Sequence, residues 1–276
     1  MIRLTFVMIC IFILGNAGAQ EKYQLFYKYE KGKTYRYQEE TKFESVQEVS
    51  GQEMKATGSS LSLMKMAIES VSESGDITMI HSYEDMKMTT KMAMMDTTMV
   101  LKELLDKKNQ ITISRSGKMI EQKVIDTVSI AKSMVSSRSS LSDVYKEFVV
   151  FPDGAVKTGD TWNDDRSDTV EGTQMVTKTI RKFTIAGIED KNGHSCLKIT
   201  FTGTVEIGGK MNQMGMEFFM EGEGETSGTI WFDQNRGIII AKEGSSDQDM
   251  TMAMTGQMQM TIPITTSSTS KFLLVE

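Results

Sequence analysis

Met250-Thr251-Met252-Ala253-Met254-Thr255-Gly256-Gln257-Met258-Gln259-Met260-Thr261-Ile262-Pro263-Ile264 puts its large apolar side chains on even positions. The residues between are mostly polar. A period of two belongs to an extended strand with one apolar face, because successive side chains point to opposite sides. The same parity runs through Met64, Met66 and Ile68, through Met86, Met88, Met92 and Met94, and through Met214, Met216, Phe218 and Met220. The fold class follows: mainly β, built on long antiparallel strands. A run such as 248–264 would extend roughly 50 Å at about 3.3 Å per residue. Strands this long cannot lie flat, because sheet twist accumulates. The expectation is a strongly coiled sheet, or sheets, forming an open or partial barrel, with Gly256 as a bend within one long strand.

Composition places the chain among globular proteins. Of its 276 residues, 39% are hydrophobic and 25% charged, which is too apolar for a disordered chain. The N-terminus has the three parts of a secretory signal. Arg3 supplies the positive end, Leu4 to Leu14 the apolar stretch, and Ala17-Gly18-Ala19 the small-residue cleavage site. Cleavage is expected after Ala19, giving an exported chain, periplasmic or extracellular, that starts at Gln20. No second apolar run reaches the roughly 20 residues that span a bilayer. Cys10 lies inside the leader rather than at its end, so it is not read as a lipid anchor. Cys196 is then the one mature cysteine, and an intramolecular disulfide is ruled out. The net charge of −6 argues against nucleic acid as a partner.

Strand signals run from Lys22 to about Lys118, with a hairpin of 61–71 and 76–94 around Ser74-Gly75-Asp76. Ile120, Val124, Val128, Ala131 and Val135 then repeat at helical spacing. A second helix is expected from Ser140, with Leu141, Val144, Tyr145 and Phe148 turned inward. One or two helices are therefore expected to pack on the sheet from mid-chain. Strands resume after Pro152-Asp153-Gly154, over 161–170, 174–188, 195–207, 214–222, 227–233, 236–243, 248–265 and 269–275. Residues 20–276 read as one β-rich domain. They read equally as two β halves, 22–118 and 154–275, joined by a helical segment over 119–150. The likeness of Gly32-Lys33-Thr34-Tyr35 to Gly159-Asp160-Thr161-Trp162 is a weak internal echo of the kind a duplicated β unit would leave.

The chain has 24 methionines, two of them in the leader. Val and Ile would ordinarily fill inward strand positions. Methionine is unbranched and polarizable, and it adapts to varied apolar shapes. The candidate ligand-lining residues are Met86, Met88, Met92, Met94, Met214, Met216, Met220, Met250, Met252, Met254, Met258 and Met260. Three readings are open. These residues line a concave face for a lipid-like molecule or hydrophobic peptide, they are core of an envelope structural or interaction module, or they bind Cu(I) through thioethers. Scavenging of oxidants is a minor fourth.

Catalysis finds no footing. No G-x-G-x-x-G, P-loop or G-x-S-x-G lies between a strand and a helix. The two histidines, His81 and His194, with Cys196, are too few for a zinc site. His194 and Cys196 share a strand face and read as a strand-end imidazole and a buried thiol. Asp160 to Asp168 lacks the calcium-loop spacing and reads as a solvated strand face. Glu221, Glu223 and Glu225, spaced by Gly222 and Gly224, read as the approach to a hairpin. No catalytic residue, metal or cofactor is assigned.

Phe148-Val149-Val150-Phe151-Pro152-Asp153-Gly154-Ala155-Val156-Lys157-Thr158-Gly159-Asp160-Thr161-Trp162 resembles a junction in an exported, β-rich bacterial family of unknown function. There a helical middle also leads into a second β half. Gly228 to Gly237, with Trp231-Phe232-Asp233, resembles that family's strand–turn hairpin. The resemblance implies strand starts and turns and carries no catalytic residues. The arrangement is also distantly similar to the lipoprotein carriers, which implies a curved antiparallel sheet with helices plugging its concave side.

Overall fold

Alternation decides most of the chain, and the period-two stretches become paired strands. The computed structural model describes residues 21–92, 95–126, 147–169, 173–213, 216–255 and 259–275. The expected leader, 1–19, lies outside them. The strands are β1 (Lys22–Tyr23), β2 (Thr34–Val49), β3 (Gln52–Val71), β4 (Ile77–Met92), β5 (Met95–Val100), β6 (Asn109–Ile113), β7 (Met119–Val124), β8 (Val156–Lys157), β9 (Thr161–Thr169), β10 (Val176–Lys191), β11 (His194–Gln213), β12 (Met216–Asp233), β13 (Ile238–Thr255) and β14 (Met260–Val275). Twelve form one antiparallel sheet in the order β7-β6-β4-β3-β2-β14-β13-β12-β11-β10-β9, with β5 beside the far half of β4. β1 and β8 make a separate two-stranded ribbon. The sheet is open: its edges, β7 and β9, do not pair with each other.

Two up-and-down meanders meet where β14 pairs with β2, from Ile264 opposite Gln47 to Val275 opposite Arg36. Direct cross-strand partners point to the same side. One face can therefore be followed from edge to edge. At one end that face carries the core. Tyr37, Met64, Met66, Met79, Ile111, Ile113, Phe183, Ile185, Ile199 and Ile230 are at most 1% exposed there. We call it the inner face.

Two extended segments cover the core. In the first, Tyr23, Leu25, Tyr27 and Tyr29 alternate inward; the second brings Phe148, Val149 and Phe151. The Tyr27 hydroxyl ties them together, accepting from the Val149 N–H at 2.9 Å and donating to the Val149 carbonyl at 3.2 Å. Its ring meets Phe148 and Phe232 edge-on. The Tyr29 and Tyr37 hydroxyls lie 3.0 Å apart, and Tyr37 donates to the Ile239 carbonyl. These buried phenols gain aromatic burial while leaving no stranded hydroxyl.

The two similar tetrapeptides are built alike. The Gly32 N–H donates to the Ile68 carbonyl, the Ile68 N–H to Lys33, and the Lys33 N–H to Glu30. In the second half the Gly159 N–H donates to Ile185, the Ile185 N–H to Asp160, and the Asp160 N–H to Lys157. Both glycines have positive φ, 81° and 91°. A bulge follows each strand isoleucine, between Ile68 and Ser70 and between Ile185 and Gly187.

Three expectations are corrected. Residues 119–124, placed in a helical segment, form the edge strand β7. Gly117, at φ 93°, turns the chain back along β6, whose backbone groups then pair with it. Ile120 and Val124, taken as the start of a helical stripe, are 54% and 56% exposed. The rest of that expected helical region, 127–146, lies outside the described residues. Among the described residues helical backbone is limited to a 3-10 turn, Lys102–Leu104, and Glu147. The run 248–265 is a hairpin and not one bent strand, because Met254 pairs with Met260. That register places even residues opposite even residues, so the parity survives the turn. Finally, the expected strands 214–222 and 227–233 are not separate: 216–222 and 227–233 belong to one strand, β12, and 214–215 lie outside the described residues.

A Cβ on Gly117 would lie 2.2 Å from the Val149 carbonyl oxygen and 2.6 Å from the Tyr27 ring. Gly117→Ala is therefore expected to lower stability by about 2 kcal/mol or more, through strain and a displaced cover segment. Gly154→Ala, which meets open space, serves as the control. Urea unfolding curves check this, and equal midpoints for the two variants would contradict it.

Candidate functional site

Beyond the core, the inner face changes character in two steps. The first belt is small and polar. One row across it reads Ser60, Thr41, Ser270, Gly244, Gly228 and Phe201. The next reads Gly58, Phe43, Ser268, Ser246, Thr226 and Gly203. Rings lie over two of the glycines: a Cβ on Gly58 would meet Phe43 at 2.3 Å, and one on Gly228 would meet Phe201 at 2.6 Å.

The second belt carries the thioethers. One row reads Met54, Gln47, Ile264, Met250, Gly222 and Ile207. Further out, Ile262, Met252 and Met220 lie side by side, then Met260, Met254, Phe218 and Met211. On the other wing the thioethers begin nearer the core: Met88, opposite Met99, is also the direct partner of Ser60 in the first belt, and Met92 is opposite Ala56. Met88, Met220, Met250, Met252, Met254 and Met260 are half-buried, and Met92 is 47% exposed. The register thus brings these candidate residues onto one face. Met86 differs: it is buried in the core cluster with Met64, Met66 and Met79. Met94, Met214 and Met258 lie outside the described residues, as does the side chain of Met216, where β12 begins.

The opposite face is polar along the same strands. Glu206, Glu223 and Asp249 are direct cross-strand neighbours on it, as are Glu225 and Asp247. Glu221, Glu223 and Glu225 are thus mid-strand residues of an exposed face and not a hairpin approach, because the β12 ladder runs unbroken past Gly222 and Gly224. Three open grooves of about 470, 610 and 340 Å³ lie on this outer side. Ser, Thr, Lys, Asp and Glu make up most of the residues around them, with Phe43 in the first and Met250 and Ile264 in the second. These grooves are not the expected methionine-lined hollow.

Ionic groups sit between core and thioether belt, where alternation alone gave no sign of them. Asp164 is 7% exposed and lies 2.8 Å from Arg166 and 2.9 Å from Arg181. Arg166 also donates to the Phe148 carbonyl at 2.6 Å. The solvated-face reading of 160–168 therefore holds for one side of β9 only; Trp162, Asp164 and Arg166 turn inward. Burial and the like charge of Arg166 push the Arg181 guanidinium below its ordinary range, while Asp164 opposes them. Nearby, Lys242 holds Glu147 at 2.6 Å, and Ser62 approaches Glu39 at 3.5 Å. Burial, then the Glu147 carboxylate, raises Glu39 to about 7, against Lys242 and Ser62. The alternating signal is binary, so it cannot mark an inward charge whose partner is distant in sequence.

The cysteine and histidines have structural surroundings. Burial pushes the Cys196 thiol up to about 11, so it stays protonated. Its strand-mate His194 lies 3.6 Å from Asp233. His81 is fully buried on the inner face at the core end. Among the described residues no group of three or more His, Cys, Asp and Glu is placed to hold a metal, and no helix is long and apolar enough to cross a membrane.

Residues 130–239 match a family described as a family of unknown function, DUF6263. The match encloses both stretches that carry the resemblance to an exported β-rich family. No curated protein matches the chain. Among solved structures, the chain is similar to one titled for lipid–protein interactions in lipovitellin, with TM-score 0.51 and 12% identity. That likeness covers 90% of this chain and 26% of the lipovitellin chain, so it is a likeness of fold to part of a larger protein. The β domain of the Bordetella autotransporter BrkA also matches, over 87% of this chain and 99% of that one, at 8% identity. Its TM-score of 0.20 carries no argument.

The Glu39 surroundings give a pH dependence. Its folded pKa lies above the ordinary 4.5, so the folded state binds more protons than the unfolded state between about 4.5 and 7. Stability from this group is present at low pH and falls as pH rises through that window. Glu39→Gln is expected to remove the fall, on the order of 1–2 kcal/mol. Unfolding midpoints at pH 4.5 and 7.5 check it; an unchanged difference in the variant would contradict it.

Proposed function

We propose that the chain is an exported, non-enzymatic protein that holds an apolar, lipid-like ligand on the thioether belt of its inner face. One observation carries the reading. Five candidate methionines, Met220, Met250, Met252, Met254 and Met260, are half-buried on one face beside Ile262, Ile264 and Phe218, while the other face of the same strands is mostly polar, with Glu221, Asp249, Thr251, Thr261 and Thr265. A contiguous, partly open apolar area of this kind is uncommon on a protein with nothing to bind. Thioethers suit a deformable ligand, because they re-pack at low cost. The fold likeness to lipovitellin, whose structure is titled for lipid–protein interactions, points loosely the same way.

A second reading has its own support. Met64, Met66, Met79 and Met86 are plain core, so this chain also uses methionine for packing. On that reading the belt completes an envelope interaction module and takes no small ligand.

A fluorescent fatty acid titrated into delipidated mature protein separates the two. Saturable binding is expected. Met252→Glu is expected to weaken it by about tenfold or more, the cost of placing a charge in an apolar contact. Thr251→Glu, one residue away on the outer face, should leave it unchanged. Absence of saturable binding, or equal losses in both variants, would overturn the lipid reading.

A further inference from the structure

We propose that His81, Met66 and Met79 form a buried binding site for a soft monovalent metal ion, Cu(I) or its analogue Ag(I). The site is separate from the thioether belt and lies at the core end of the inner face. The register sets the three side chains together. Met66 on β3 is the direct cross-strand partner of His81 on β4, so both point to the same side. Met79 is two residues from His81 along β4 and shares its face. Cβ atoms of such direct partners lie about 4.5–5.5 Å apart, within reach of one ion held between long side chains. Met64, opposite Tyr83, is the diagonal neighbour.

The independent observation is the state of the imidazole. His81 is 0% exposed, and neither ring nitrogen has a hydrogen-bond partner among the described residues. A buried polar group left unsatisfied costs about 1–3 kcal/mol, and such groups call for an ion, a water or a function. Met66 and Met79, 1% and 0% exposed, offer thioether sulfur and no hydrogen-bond donor. Tyr83 stands edge-on to the imidazole with ring centres 4.8 Å apart.

The ligand chemistry selects the ion. A neutral imidazole carries a lone pair on one ring nitrogen, and with no hydrogen-bond partner at either nitrogen among the described residues that lone pair is free to coordinate. The buried Asn109 amide, the cross-strand partner of His81 on β6, adds a neutral oxygen; one imidazole nitrogen with thioethers, and no thiolate or carboxylate, is still a mainly soft, uncharged set. It favours Cu(I) or Ag(I), whereas zinc, calcium and Cu(II) want thiolates, carboxylates or more imidazoles.

The test is competition titration of mature protein with Ag(I), then with Cu(I) under reducing conditions against a chromophoric Cu(I) chelator, followed by X-ray absorption on the loaded protein. The expected result is one tight equivalent with mixed nitrogen and sulfur scattering. His81→Phe should lose that equivalent. Met66→Leu and Met79→Leu, which conserve volume and should fold, are expected to weaken it by about tenfold or more. Met252→Leu, on the belt, should retain it. The proposal is overturned if wild type and His81→Phe hold the same equivalents, if scattering is from sulfur alone, or if no tight equivalent is found. Should His81→Phe fail to fold, the two leucine variants decide: unchanged affinity in both overturns the site.

Discussion

The pairing of β14 with β2 is the constraint on which the rest of the molecule depends. It joins the last strand of one meander to the first strand of the other. It also fixes their relative faces. A slip of one residue would turn every side chain of one meander to the opposite side. Tyr37 and Phe272, whose rings stack at 4.4 Å, would then part, and the thioethers of β12–β14 would no longer share a face with those of β3–β5. The core and the candidate site are consequences of one register.

That register distributes three chemistries along one face. Aromatic and branched side chains fill the covered end, where two extended segments are stitched together by the Tyr27 hydroxyl. Small hydroxyls and glycines follow, with ion pairs held where cover segment and sheet meet. The thioethers lie furthest out, half-open. Within that outer belt Ile262 and Ile264 are buried and the methionines beside them half-buried, so flexible side chains surround a small branched centre. The repeated turn at Gly32 and Gly159, each closed by a strand isoleucine before a bulge, starts both meanders with the same geometry.

Extended segments here occupy the place that the lipoprotein-carrier resemblance gives to helices. Residues 23–29 present alternating Tyr and Leu to the core and residues 148–151 present Phe148, Val149 and Phe151, and their backbone groups are met by turns and edges of the sheet. The Tyr27 N–H donates to the Arg115 carbonyl, and the Phe151 N–H to Ser116. The first segment buries every second residue, the same rule that shaped the sheet beneath it; the second buries the neighbours Phe148 and Val149 together.

The sequence by itself determined the β class, the parity of the methionine series and most strand positions, because a two-residue period is a local property of extended backbone. Tertiary structure alone decided three things. It ended the 248–265 run in a hairpin, since register between strands is set by turns and partners and not by alternation. It made residues 119–124 a strand, since pairing with β6 outweighs a helical spacing of two exposed side chains. It buried Asp164 against Arg181 and set Met66 across the ladder from the buried His81, since both of those partners come from neighbouring strands. Alternation says which way a side chain points; only the assembled sheet says what it meets there.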